Sequence, residues 1–177
     1  PKEKENERLS FLSGSPNIFV RTPQSLINKA LKAYWRSKSI VRDLFTNKID
    51  IYHGLSNELP LGIEKTNIKT VVTIHDLIFI RYTHLFKSND RRIYYKKVKS
   101  ACHRANKIIA VSKQTKQDII DFFFIPEDKI EVVYQGCNKI FQSKIADDKK
   151  QEIFTKHNLP TEYLLYVGSI EERKNLL

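Results

Sequence analysis

Residues 69–76 read Lys-Thr-Val-Val-Thr-Ile-His-Asp, and this stretch decides the fold. The run KTVVTI is continuous and β-branched, the composition of a strand buried on both faces of a parallel sheet, and it stops at His75-Asp76. Upstream, residues 49–52 (IDIY) form a shorter apolar run that ends at His53-Gly54, and SNELPLG supplies loop chemistry after it. Before that, residues 17–21 (NIFVR) predict a strand, and from Ser25 to Phe45 apolar residues recur at helical spacing.

Downstream the cycle repeats. Ser88, Asn89 and Asp90 offer cap chemistry to a helix running to about Asn106, with an inward stripe of Ile93 or Tyr94, Val98, Ala101 or Cys102, and Ala105. Residues 107–111 (KIIAV) predict a strand, and Ser112 caps a helix whose apolar positions are Ile119, Ile120, Phe123 and Phe124. Residues 129–134 (KIEVVY) predict the next strand, 147–159 a helix and 163–167 (YLLYV) a last strand closed by Gly168. Alternation of this kind with short connections defines an α/β protein built on a doubly wound parallel sheet with helices on both faces. In such a sheet ligands gather at the carboxyl ends of the strands. The polar residues 139–150 are the best place for an interdomain linker, dividing the chain into 1–145 and 146–177.

Composition narrows the function. The 177 residues are 41% apolar, enough for one real core, and no window approaches the roughly 18–20 uninterrupted apolar residues of a membrane-spanning helix. A cytoplasmic protein is expected, associated peripherally with the membrane at most. The two cysteines, Cys102 and Cys137, give neither a disulfide framework nor a paired metal signature, so no metal site is expected. Walker A, GxGxxG, nucleophile-elbow and HExxH patterns are all missing from the sequence, which removes the main support for the commonest nucleotide-hydrolase, dinucleotide, serine-hydrolase and zincin chemistries. The chain begins at Pro1, contains no methionine and ends in EERKNLL, which reads as the opening of a helix; a piece of a longer protein is expected.

A formal net charge of +11 points to an anionic partner. The helix after Ser88 carries Arg91, Arg92, Lys96 and Lys97 with Tyr94 and Tyr95 interleaved, a pattern suited to an anionic membrane surface. A solvated helix face accounts for the same residues equally well, and nucleic-acid signatures are missing. At the strand ends, His53-Gly54, His75-Asp76, and Gly168 followed by Arg173-Lys174 are the candidates for chemistry. A histidine there can donate or accept a hydrogen bond near neutral pH, and an Arg-Lys pair beside a glycine suits a diphosphate.

The order DIYHG, TVVTIHDL, NKIIAVSKQTKQDI, PEDKIEVVYQG and YLLYVGSIEERKN, spanning Asp50 to Asn175, resembles the motif series of family 4 glycosyltransferases of the GT-B type, close to bacterial mannosyl- or glucosyltransferases of cell-surface glycans. The resemblance implies an incomplete Rossmann-like N-terminal domain plus the first strand of a C-terminal donor domain. It implies a retaining, metal-independent hexosyltransferase acting on a nucleotide-diphosphate sugar and a glycan or lipid-linked acceptor, with no cofactor. His75 would stand beside the donor sugar as the catalytic residue, Asp76 and Ser112 would support that side of the cleft, and Gly168, Arg173 and Lys174 would hold the diphosphate. His53, Gly54 and Asn57 would face the acceptor. The family's glycine-rich first strand and its paired glutamates would lie outside this stretch, so the chain by itself is expected to be inactive, and Gln135 stands where many members have Asn. The alternatives are a basic membrane- or nucleic-acid-binding module without catalysis, and a nucleotide-sugar epimerase of the same fold.

Overall fold

The computed structural model describes residues 31–174 and 176. The predicted strand 17–21 and the start of the helix predicted from Ser25 lie outside the described residues. By internal contact the chain forms two compact units, residues 1–49 with 60–66 and residues 50–59 with 67–177.

In the first unit a continuous helical rod runs through α1 (Lys32–Tyr34), a π-helical turn (Trp35–Ser39) and α2 (Ile40–Thr46). Trp35 Nε1 donates to Asp43 Oδ2 across the bulge at 2.7 Å, and Leu61 N donates to Ser37 O at 2.7 Å. Gly62, at φ 91°, takes a left-handed turn that a side chain would strain, ahead of the buried Ile63.

Among the described residues the second unit contains a four-stranded sheet in the order β1 (Ile51–Gly54), β2 (Lys69–Ile74), β3 (Lys107–Ala110), β4 (Ile130–Val132), with every pair parallel. Register sets Val72 beside Ile108 and Ile74 beside Ala110, and Ile108 beside Ile130; all five are buried, and all lie on one face. After β2 come a short helix, α3 (Ile78–Arg81), and the long crossover helix α4 (Ser88–Arg104); after β3 comes α5 (Lys113–Phe123). Sequential strand order with right-handed crossovers brings α4 and α5 to the same face. There Val98, Ala101 and Cys102 of α4 and Ile119 and Phe123 of α5 are buried, and Tyr95 meets Phe123 edge-on at 5.5 Å. A final helix, α6 (Asp147–His157), precedes the C-terminal stretch.

Several boundaries move for identifiable reasons. The first strand starts at Ile51 because Lys48 takes φ 52° and Ile49 N donates back to Leu44 O, so the end of α2 claims that residue. Ser88 is the first residue of α4 and not its cap; Lys87 holds the cap position and its side chain makes no capping hydrogen bond. Ile93 and Tyr94 are exposed, so the buried stripe of α4 begins only at Val98. Phe124, read as an apolar position of that helix, is 83% exposed, because the helix ends in a left-handed turn at that residue and swings the ring outward. Residues 163–167 form no strand. Their residues are exposed, and a strand needs a neighbour to pair its amides and carbonyls, which none of the described residues provides.

Candidate functional site at the carboxyl ends of the strands

Four chain segments leave the sheet at the same edge, and their first residues meet around His75. The strand β1 turns sharply after Gly54, where a Cβ would lie 2.2 Å from Glu58 O and 3.1 Å from Leu59 Cδ2; glycine is required because the returning loop passes directly over it. That loop carries Asn57 in the left-handed region at φ 58°, a conformation asparagine tolerates better than most residues. Its amide donates to Thr73 O at 3.0 Å, while its Oδ1 accepts from the His75 amide at 2.9 Å. One residue therefore pins β1's exit loop to the end of β2.

The His75 imidazole is held at both nitrogens: Nε2 lies 2.9 Å from Leu55 O and Nδ1 lies 3.3 Å from Gln135 Nε2. The His75 carbonyl accepts from Thr115 Oγ1 at 3.3 Å. Ser112 caps α5 as the sequence predicts, its Oγ accepting from the Thr115 amide at 3.0 Å and lying 3.0 Å from Thr115 Oγ1. His53 reaches sideways to Thr73 Oγ1 at 2.8 Å. Asp76 is exposed, and its Oδ1 accepts from Ile78 N at 3.3 Å, shaping the start of α3. His53, Gly54, Asn57, His75, Asp76 and Ser112 are thus gathered at one edge.

Gly168 and Lys174 are not joined to that cluster by any hydrogen bond or ion pair among the described residues. Gly168 has φ 152°, and a Cβ on it would lie 2.8 Å from the Tyr166 hydroxyl, which donates to Ser169 O. Lys174 lies in a short helical turn (Glu172–Lys174), its amide bonded to Glu171 O at 2.9 Å. Arg173 belongs to the same turn. An open cleft of about 780 Å³, lined by residues of 143–163 that include Lys144, Lys150, Phe154 and Tyr163, shares no residue with the strand-end cluster.

The basic helix α4 spends part of its charge internally. Lys97 pairs with Glu58 at 2.5 Å and Arg91 Nη1 donates to Thr83 O at 3.2 Å, whereas Arg92 and Lys96 are exposed. Below the site, nearly buried Asp118 accepts from Arg81 Nε at 2.8 Å and from Gln114 Nε2 at 2.7 Å; hydrogen bonding to Asp118 raises the Arg81 pKa above its ordinary value. Among the described residues no three His, Cys, Asp or Glu side chains cluster to hold a metal, and no helix is long and apolar enough to cross a membrane.

Sequence reasoning missed three contributors: the Leu55 carbonyl, Thr115 and Gln135. Thr115 reads as a polar helix residue, and only its position one turn inside the Ser112 cap turns it toward His75. Gln135 was visible as a residue after a strand, but nothing in the sequence places its amide on the ring of a residue sixty positions earlier.

An all-parallel sheet joined through crossover helices defines a Rossmann-like α/β domain, whose strand ends here collect two histidines and a helix cap. Residues 2–139 match the sequence profile of Glycosyltransferase Family 4, and the chain belongs to that family. It is 29% identical over 133 residues to the serotype-specific mannosyltransferase WbdA of Escherichia coli, covering 72% of this chain and 16% of that protein. It is 27% identical over 127 residues to the O-antigen chain mannosyltransferase B of Escherichia coli, covering 71% of this chain and 32% of that protein. The chain therefore spans less than a third of the length of either relative. Among solved structures, a glycosyltransferase from Rickettsia africae matches 81% of this chain and 36% of its own, with a TM-score of 0.46 and 19% identity.

Proposed function

We propose that this chain supplies the acceptor-side domain, residues 1–145, and the opening of the donor-side domain, residues 146–177, of a retaining hexosyltransferase. The enzyme moves a mannose- or glucose-like unit from a nucleotide-diphosphate sugar to a glycan or lipid-linked acceptor in polysaccharide synthesis, without a metal or other cofactor. The observation that carries the reading is His75, fixed at the carboxyl end of β2 by partners from three neighbouring segments in a chain of this family. A side chain held this way is preorganised before substrate arrives, so its interactions with a reacting sugar cost little reorganisation.

In this reading His75 faces the donor sugar, and Asp76 and Ser112 support it by shaping the turns that carry it. Gly168, Arg173 and Lys174 take the diphosphate, where the two cations offset charge on the leaving group. His53, Gly54 and Asn57 form the acceptor side through their loop. The test is incubation of the longer protein containing this chain with radiolabelled nucleotide-diphosphate hexoses and lipid-linked acceptors. Labelled acceptor with the anomeric configuration of the donor is expected, and H75A should lower transfer by at least about a hundredfold, on the scale of one lost preorganised contact. Release or epimerisation of the sugar without transfer to acceptor would overturn the assignment.

The exposed Arg92 and Lys96 on α4 favour a supplementary reading, in which that face rests on an anionic membrane carrying the acceptor. It places the enzyme in the cytoplasm, at the inner face of the membrane.

A further inference from the structure

We propose that Gln135 and the Leu55–Asn57 loop form a clamp that holds the His75 imidazole in its neutral Nε2–H tautomer, which makes Gln135 a positioning residue for the site. The inference deepens the reading above, in which His75 faces the donor sugar, and its test does not depend on donor binding.

The geometry leaves few choices. Leu55 O is a carbonyl and can only accept, so Nε2, 2.9 Å away, carries the hydrogen. A neutral ring then presents Nδ1 as a bare acceptor, and the group facing it is the Gln135 side-chain nitrogen, a donor, at 3.3 Å. The two contacts call for the same tautomer. Among the described residues no carboxylate bonds either ring nitrogen. Asn57 fixes the backbone beneath the ring through its bond to the His75 amide, so that ring and main chain are held from the same loop.

The source of each partner matters as much as its chemistry. Leu55 and Asn57 belong to the exit loop of β1, His75 to the end of β2, and Gln135 to the segment after β4, so the two outermost strands among the described residues are joined through one imidazole. The position after β4 needs a side chain long enough to reach the ring and ending in a donor. Gln135 meets both conditions, and glutamate, which matches its length, would present only acceptors when ionised.

The experiment is long-range proton–nitrogen NMR of the 177-residue chain labelled at histidine nitrogens, compared with Q135L and Q135E. In the native chain the His75 signals should show a protonated Nε2 and a bare Nδ1. In Q135L, which keeps bulk but donates nothing, the tautomer ratio should shift toward Nδ1–H by about fivefold, the equivalent of one ordinary hydrogen bond of about 1 kcal/mol. In Q135E the carboxylate can only accept, so Nδ1 should carry a proton in place of the bare Nδ1 of the native chain. Backbone signals of β2 and β3 should stay in place in both variants, since Gln135 is exposed. An Nδ1–H tautomer in the native chain, or an unchanged His75 signature in Q135L, would overturn the proposal. Failure of sugar transfer in the longer protein with an intact tautomer signature would instead overturn only the functional reading.

Discussion

At the scale of single residues, Gly54 and the two cysteines carry the sharpest expectations. A methyl group at position 54 would press on the Glu58 carbonyl, which is backbone and cannot swing aside, so G54A should cost about 1–3 kcal/mol in urea unfolding and displace the loop that carries Leu55 and Asn57. Because that loop holds His75, the His75 amide signal should move with it. Cys102 is buried between α4 and the sheet, and burial pushes its thiol up to about 12, whereas Cys137 is exposed. A thiol reagent at pH 8 should therefore modify one cysteine quickly in the native chain and both in denaturant. The same burial sets a sign for alkaline stability. An unfolded thiol titrates near ~8.5, below the native value, so from there to about 12 the native state keeps a proton that the unfolded state has lost, and stability falls as pH rises. Lys129, whose amine burial lowers, works the other way in the alkaline range, but it is more exposed and its effect is weaker. C102A should flatten the alkaline decline.

At the scale of elements, what was legible in the sequence is what local composition can state. The β-branched run of β2 and the Ser112 cap were readable because a strand and a helix start each have a residue-level cause, but β2 is fully buried on one face only, with Thr70, Val72 and Ile74 buried and Val71 and Thr73 half-buried on the other. The start of β1 and the outward turn of Phe124 were not, since both depend on where a left-handed residue falls, at Lys48 and at Phe124 itself. Residues 163–167 show the same limit: their composition suits a strand, but pairing is a property of two segments. The site followed the same rule. The histidines could be placed at strand ends from the sequence, whereas the partners Leu55, Thr115 and Gln135 depend on register between distant strands. Adjacent phenylalanines test the outcome for α5. F123A removes a fully buried ring that meets Tyr95 and should cost about 3–5 kcal/mol, whereas F124G removes an exposed ring from a left-handed position and should stabilise by about 0.5–1 kcal/mol in the same measurement.

At the scale of the whole molecule, the net charge of +11 has to be weighed by where the cations are. Lys97 is occupied by Glu58 and Arg91 by a backbone carbonyl, so a count of basic residues on α4 overstates what the helix offers to a membrane. Arg92 and Lys96 stand four positions apart, one helical turn, and so share a face. Each cation near an anionic leaflet contributes on the order of 1 kcal/mol, about fivefold in binding, and reversing a charge adds repulsion to that loss. The chain should therefore bind vesicles containing phosphatidylglycerol and release them as salt rises from 50 to 300 mM, conditions under which the screening length shortens to roughly a Debye length of 10 Å or less. The double variant R92E/K96E should weaken sedimentation with these vesicles by at least about twenty-fivefold, while K97Q, which loses an internal pair, should change binding far less. Equal loss in the two variants would mean that the interaction follows total charge and not this face of α4, and α4 would then be no more than a solvated helix.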